Sequence, residues 1–103
     1  MRERAKTFLK WKMKEWNMEC HSSVPSDGYE PEGYRGIVIG KYVFITTYRI
    51  SIALTEVYDC ITEELVMQYE EEYEHTTESA YAELEEVPLW YAREIKYDYI
   101  VEV

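Results

Sequence analysis

Residues 36–59 read GIVIGKYVFITTYRISIALTEVYD, and this run decides the fold. Ile37, Val38 and Ile39 are followed by Tyr42, Val43, Phe44, Ile45, Thr46 and Thr47, then by Ile50, Ile52, Leu54 and Val57. β-Branched and aromatic side chains suit a pleated, half-buried surface, so two or three strands are predicted here. Gly40-Lys41 reads as a turn or a bulge, and Thr47-Tyr48-Arg49 as the next reversal.

Downstream, residues 62–75 fit two patterns. Thr62-Glu63-Glu64 resembles a helix start, with Leu65, Tyr69 and Tyr73 at four-residue spacing. Period two instead places Leu65, Met67, Tyr69 and Tyr73 on one face and Val66, Gln68, Glu70, Glu72 and Glu74 on the other. The strand is preferred, because the Val57 to Asp59 run can pair with it through a turn around Cys60 to Glu64. A hairpin is therefore expected over 57–73. Thr76 and Thr77 cap a helix starting near Glu78, with Ala80, Leu84 and Val87 inward and Glu78, Glu83, Glu85 and Glu86 outward. Pro88 ends it or begins a short turn through Leu89, Trp90 and Tyr91. From Glu94 to Val103, Ile95, Tyr97, Tyr99, Val101 and Val103 alternate with mainly polar residues, the pattern of a half-buried antiparallel strand.

Upstream, Ala5, Phe8, Leu9, Met13 and Trp16 form one stripe at helical spacing, so residues 1–18 read as a basic amphipathic helix. Trp11 falls off that stripe, either covering a neighbouring loop or exposed as a contact residue. Residues 19–35 are rich in Ser, Pro, Asp and Gly and read as a long loop, pinned to the sheet by Tyr29 and Tyr34. The expected class is α+β: an N-terminal helix, an antiparallel sheet of about four strands, a second helix after the hairpin and a C-terminal strand. One domain, 1–103, is expected, with residues 36–103 forming the sheet, the acidic helix and the last strand.

Of the 103 residues 47% are apolar and 16% aromatic, enough for a core. Eleven tyrosines against two phenylalanines favour amphipathic core borders. No apolar run suggests a signal peptide or a membrane span, so a cytoplasmic protein is expected. Cys20 and Cys60 are too few for a disulfide scaffold. Cys20, His21, Cys60 and His75 have the atom types of a zinc site but not its spacing, and no nucleophile elbow, phosphate loop or dinucleotide fingerprint is present. No catalytic residue, metal ligand or cofactor is assigned.

Charge is the informative feature. Residues 1–55 carry nine Lys/Arg against six Asp/Glu, while residues 56–103 carry two against fifteen. The net charge of −10 opposes direct contact with nucleic acid or an anionic membrane. A strand would space Glu70, Glu72 and Glu74 by about 6.6 to 6.8 Å along one face, resembling a row of phosphates. Glu78, Glu83, Glu85 and Glu86 extend that acidic surface, and Tyr73 and Tyr81, with Tyr69, interleave aromatic contacts.

In size and acidity the chain resembles the small phage inhibitors of host defence nucleases, including anti-restriction and anti-CRISPR proteins that mimic DNA. That resemblance implies a binding protein whose partner is a basic surface, such as a nuclease or another nucleic-acid-binding protein. Two rivals are a homo-oligomeric assembly protein, in which the basic helix of one copy meets the acidic face of another, and a small metal- or ligand-binding enzyme.

Overall fold

The structure is a computed structural model that describes residues 2–22 and 33–102, with side chains described for 2–15 and 33–102. Its elements are helix α1 (Arg2–Ser22), strands β1 (Gly33–Ile39), β2 (Tyr42–Tyr48), β3 (Ala53–Asp59) and β4 (Leu65–Glu70), helices α2 (Thr77–Glu85) and α3 (Leu89–Glu94), and strand β5 (Tyr99–Glu102). The five strands form one antiparallel sheet in the order β4-β3-β2-β1-β5. The fold is α+β, as the sequence predicts, with five strands rather than about four.

The 36–59 run forms the centre of the sheet. Gly40-Lys41 is a two-residue turn between the paired Ile39 and Tyr42, and Gly40 has φ +60°, a backbone region that suits glycine. The next reversal falls at 49–52 rather than 47–49. Thr47 and Tyr48 still pair with Leu54 and Ala53, and the Arg49 N–H closes the turn on the Ile52 carbonyl at 2.8 Å. The β3–β4 hairpin forms as expected. Its loop is held by the Asp59 carboxylate, which accepts from the Ile61 N–H at 2.8 Å and the Thr62 N–H at 3.3 Å. Burial opposes ionisation of Asp59, but these donors and Lys41 outweigh it and hold its pKa below the ordinary value.

Alternate residues of the same strands enter two separate cores. Val38, Val43, Ile45 and Tyr58 face Ala5, Phe8 and Leu9 of α1, joined by Cys60. Ile37, Ile39, Tyr42, Phe44, Val57 and Tyr69 face Ala80 of α2, with Tyr81, Leu84, Ile95 and Tyr97 packed around them. The molecule therefore has three layers, α1, the sheet, and α2 with α3. The basic helix and the acidic helix lie on opposite faces.

Several boundaries differ from the sequence reading. α1 runs to Ser22 and β1 starts at Gly33, so both ends of the expected 19–35 loop belong to regular elements. Residues 23–32, with Tyr29, lie outside the described residues, as do Val103 and the side chains of Trp16, Cys20 and His21; Tyr34 is buried, as expected. The C-terminal strand is only four residues long. Ile95 and Tyr97 pack on the α2 side whereas Tyr99 and Val101 pack on the α1 side, because the chain leaving α3 joins β1 only from Asp98, whose N–H donates to the Val38 carbonyl at 2.8 Å.

α2 is capped as expected. Thr76 Oγ1 accepts from the Ser79 N–H at 3.2 Å, and Ser79 Oγ accepts from the Thr76 N–H at 2.8 Å, a reciprocal capping box. Pro88 starts the short helix α3 rather than only ending α2.

Candidate binding surface

On the α2 face the apolar core gives way to a polar row at one end of the sheet. Arg35, Thr46, Thr55 and Tyr69 are direct cross-strand neighbours on β1, β2, β3 and β4. Glu71, just past β4, and Thr77, the first residue of α2, close over them. Arg35 Nη2 lies 3.1 Å from Glu71 Oε1 and also reaches Thr46 Oγ1 at 3.1 Å and Thr77 Oγ1 at 3.3 Å. Thr55 Oγ1 lies 2.8 Å from Glu71 Oε2 and 2.7 Å from Thr46 Oγ1.

An ionised carboxylate only accepts, which fixes the direction of the whole circuit. Thr55 donates to Glu71, Thr46 therefore donates to Thr55, and Arg35 donates to Thr46 while pairing with Glu71. The ring is closed, each oxygen of Glu71 is used, and the Glu71 side chain is only 8% exposed. Burial lowers the Arg35 pKa, and the charge and hydrogen bond of Glu71 more than offset it, leaving the guanidinium above its ordinary value. Burial, reinforced by the Glu71 charge, pushes the Tyr69 phenol well above the ordinary tyrosine range. The circuit ties Glu71 to β1 and β3 and so anchors the turn after β4, while the buried Arg35 Nε and Tyr69 hydroxyl beside it have no hydrogen-bond partner.

That turn decides the fate of the predicted carboxylate row. β4 ends at Glu70, and Glu72, at φ +68°, reverses the chain, so Glu72, Tyr73 and Glu74 form a turn rather than strand positions. The Glu74 carboxylate folds back and accepts from the outward Glu70 N–H at 2.7 Å, blunting the free edge of β4. The even phosphate-like spacing is thus overturned. Tyr73, which the strand pattern places on the same face as the buried Tyr69, is 83% exposed.

Glu70, Glu72 and Tyr73 instead line an open depression of about 550 Å³ with Arg35, Tyr48, Arg49 and Ile52, and Glu71 forms part of its wall. The remaining predicted residues lie along α2. Glu78, expected to face out, is half-buried and accepts from the Tyr97 hydroxyl, which burial and this bond push up to about 12. Tyr81 is half-buried, its ring edge-on to Tyr42 at 6.3 Å, and burial followed by the Glu85 charge raises its pKa. Glu83 is exposed and lies 3.1 Å from His75 Nε2, a contact that is an ion pair only when His75 is protonated. Glu85 and Glu86 are exposed at the end of α2, with Glu86 as a left-handed C-cap at φ 55°.

Aromatic exposure marks two further places. On α3, Leu89, Trp90 and Tyr91 are 38%, 63% and 48% exposed, and the rings of Trp90 and Tyr91 meet edge-on at 6.0 Å. On α1, Trp11 is 52% exposed and stands edge-on to Phe8 at 5.8 Å, so it is only partly covered. It walls a groove of about 460 Å³ with Thr7, Phe8 and Cys60, bordered by Glu3, Arg4 and Glu63. Lys12 Nζ sits between two rings there, 5.0 Å from Trp11 and 4.9 Å from Tyr58.

Cys60 is a buried thiol, as expected, and burial together with the Asp59 charge raises its pKa, which disfavours the reactive thiolate. Among the described residues no group of three or more His, Cys, Asp or Glu is placed to hold a metal ion, and no helix is long and apolar enough to cross a membrane.

Sequence reasoning missed Arg35, Thr46, Thr55, Glu71 and Thr77. The available signal was phase. Arg35 alternates with Ile37 and Ile39, and Glu71 with Met67 and Tyr69, so each places a charge at the end of an inward-facing series. No protein-family model matches the chain, and neither a curated protein nor a solved structure proved similar to it.

Proposed function

We propose that the protein is a non-enzymatic binding protein that docks its carboxylate-rich face on a basic protein surface, of the kind that otherwise holds nucleic-acid phosphates, and so inhibits it. One observation carries this reading: the separation of charge across the sheet. Glu72, Glu74, Glu83, Glu85 and Glu86 are all exposed along α2 and the turn leading into it, while Arg2, Arg4, Lys10 and Lys14 are exposed on the opposite layer. A face with this excess of negative charge attracts and orients a positive partner over a Debye length, and discourages acidic ones. The exposed Tyr73 supplies the aromatic contact that carboxylates lack.

The test is retention of a basic nucleic-acid-binding protein from lysate on the immobilised chain. Release by salt and by competing double-stranded DNA is expected, with loss of retention when Glu72, Glu74, Glu83, Glu85 and Glu86 are all reversed to Lys. A reversed variant that binds as tightly as the parent at low salt, with DNA displacing neither, makes this face ordinary solvated surface.

A further inference from the structure

The depression beside Tyr73 lies at one end of the sheet, between the turn that follows β2 and the turn that follows β4. On its wall the chain already holds one guanidinium in a definite way. Arg35 lies over the Tyr48 ring at 5.9 Å and pairs with the Glu71 carboxylate at 3.1 Å. Tyr73, Glu70 and Glu72 line the same depression and repeat the phenol and carboxylate of that arrangement, yet among the described residues no cation is in ion-pair contact with either glutamate. Ile52, 37% exposed, and Tyr73, with its ring open to water, provide the apolar part of the wall. Once the internal Arg35–Glu71 pair is set aside, Glu70, Glu72 and the adjoining Glu74 stand against Arg49 alone, so the excess charge at the rim is negative.

We propose that this depression receives an arginine side chain of the basic partner, its guanidinium held by Glu70 and Glu72 and laid against the Tyr73 ring, its methylene stem along Ile52. The inference rests on the docking reading above and names the group through which the partner is recognised. Two carboxylates present acceptors only, and a guanidinium meets them with donors in a rigid planar fork. The same plane is weakly hydrated and stacks on an aromatic face, so it gains from Tyr73 what a compact, strongly hydrated lysine ammonium gains less well. An aspartate, a glutamate or a phosphate is the wrong occupant, because the rim repels it. The open form of the depression, about 550 Å³, suits a side chain presented by another protein's surface rather than an enclosed small molecule.

The decisive experiment maps amide chemical shifts of the full chain in low salt, with N-acetyl-arginine amide as the probe and the matching lysine and aspartate derivatives beside it. The arginine probe should give saturable shifts at Ser51, Ile52 and Glu70 to Tyr73, with a Kd on the order of 1 mM for a ligand of about 15 non-hydrogen atoms. The lysine probe should bind about 5-fold more weakly, and the aspartate probe should leave these residues unmoved. Glu70→Gln combined with Glu72→Gln should weaken the arginine probe about 10-fold, and Tyr73→Ala about 5-fold, while the rest of the spectrum shows each variant folded. The probe needs no partner protein, so its result is separate from retention in a lysate. Retention of a basic protein without arginine-induced shifts at these residues overturns the inference and leaves the acidic face standing. Arginine-induced shifts here with no basic protein retained uphold the depression as an arginine site and remove the docking reading. Equal binding of the lysine probe, or shifts confined to Glu83, Glu85 and Glu86, shows attraction to bulk charge and overturns the inference. Shifts at Glu70 to Tyr73 that grow with protein concentration alone assign the depression to a second copy and overturn it likewise.

Discussion

The two faces of the sheet are sealed in different ways. On the α1 face, a helix of 21 residues lies on the central strands and closes them by apolar contact. The approach is so close that a Cβ on Gly36 would lie 2.6 Å from Leu9 Cδ1. On the α2 face the covering helix has nine residues, about 13 Å of length, against strands of seven residues that span about 23 Å. Apolar packing serves only the covered part. Where α2 begins at Thr77, the remaining strip carries Arg35, Thr46, Thr55 and Glu71, and their closed hydrogen-bond circuit replaces a hydrophobic seal. A sheet face left open by a short helix can thus be closed by polar groups that largely pair with one another, the buried Arg35 Nε and Tyr69 hydroxyl being left without partners.

The strongest way to break that contrast is to remove Glu71. Glu71→Ala leaves the Arg35 guanidinium partly buried without its counter-charge and frees the turn after β4. A loss of about 3 kcal/mol is expected in denaturant unfolding, the low end for a broken buried pair because Arg35 keeps some contact with water. Thr55→Val, which interrupts the circuit while keeping the volume, should cost about 1 to 2 kcal/mol. Replacing Arg35 and Glu71 together by leucine should recover most of the loss, because no unpaired charge remains. If Glu71→Ala is neutral, the circuit is ornament and the open strip is held by something else.

On the other face the matching experiment is steric. Gly36→Ala should cost about 2 kcal/mol, because Leu9 is fully buried and cannot move aside freely. Combining it with Leu9→Val should return part of that stability, whereas Leu9→Val has no reason to rescue Glu71→Ala. Independent rescue of the two lesions would confirm that the faces are sealed separately.

The sequence shows the α1 face better than the α2 face, for physical reasons. β-Branched runs, the Gly40-Lys41 turn and the helical stripe of Ala5, Phe8 and Leu9 are local patterns, so the sheet centre and its first helix can be read from them. The Thr76 cap is equally local. The end of β4 is not. Glu70, Tyr73 and Glu74 continue the letters of an alternating strand, yet Glu72 adopts a left-handed backbone and Glu74 turns back onto the Glu70 N–H. An acidic residue is compatible with strand, turn or cap, so composition there carries no geometry. The Arg35 circuit depends on the register of four strands and on where α2 lands, which are long-range facts. This is why the carboxylates were legible as charge but not as a surface.

Raised pH tests the contrast from another side. Tyr69, Tyr81 and Tyr97 belong to the α2 face, and all three phenols are raised above the ordinary value of 10, Tyr97 to about 12. Below about pH 10 both folded and unfolded chains keep these protons, and the stabilisation of the neutral phenols is fully present. As pH rises from there towards 12 the unfolded chain loses protons that the folded chain retains, so stability falls. Thermal unfolding followed between pH 9 and 12, with phenolate absorbance recorded in parallel, should show part of the tyrosine ionisation coinciding with unfolding rather than preceding it. Early, independent ionisation of every tyrosine would mean that the α2 face is open to water.

The smallest expected effect on stability is the most informative about function. Glu85 and Glu86 stand at the C-terminal end of α2, where the helix dipole disfavours negative charge, and no basic residue occupies its last turn. Reversing both to Lys should therefore stabilise the fold by a few tenths of a kcal/mol. Glu86 also holds a left-handed backbone, so Glu86→Gly should add about 1 kcal/mol by relieving a conformation that glycine adopts freely. If the carboxylates serve an acidic docking face, the charge reversal should raise the unfolding midpoint slightly and weaken retention of the basic partner in low salt. Glu86→Gly should weaken that retention less, because it removes one charge without introducing an opposite one. A reversal that leaves both midpoint and binding unchanged would deprive this end of α2 of any role in recognition, and leave the turn around Tyr73 as the place to look.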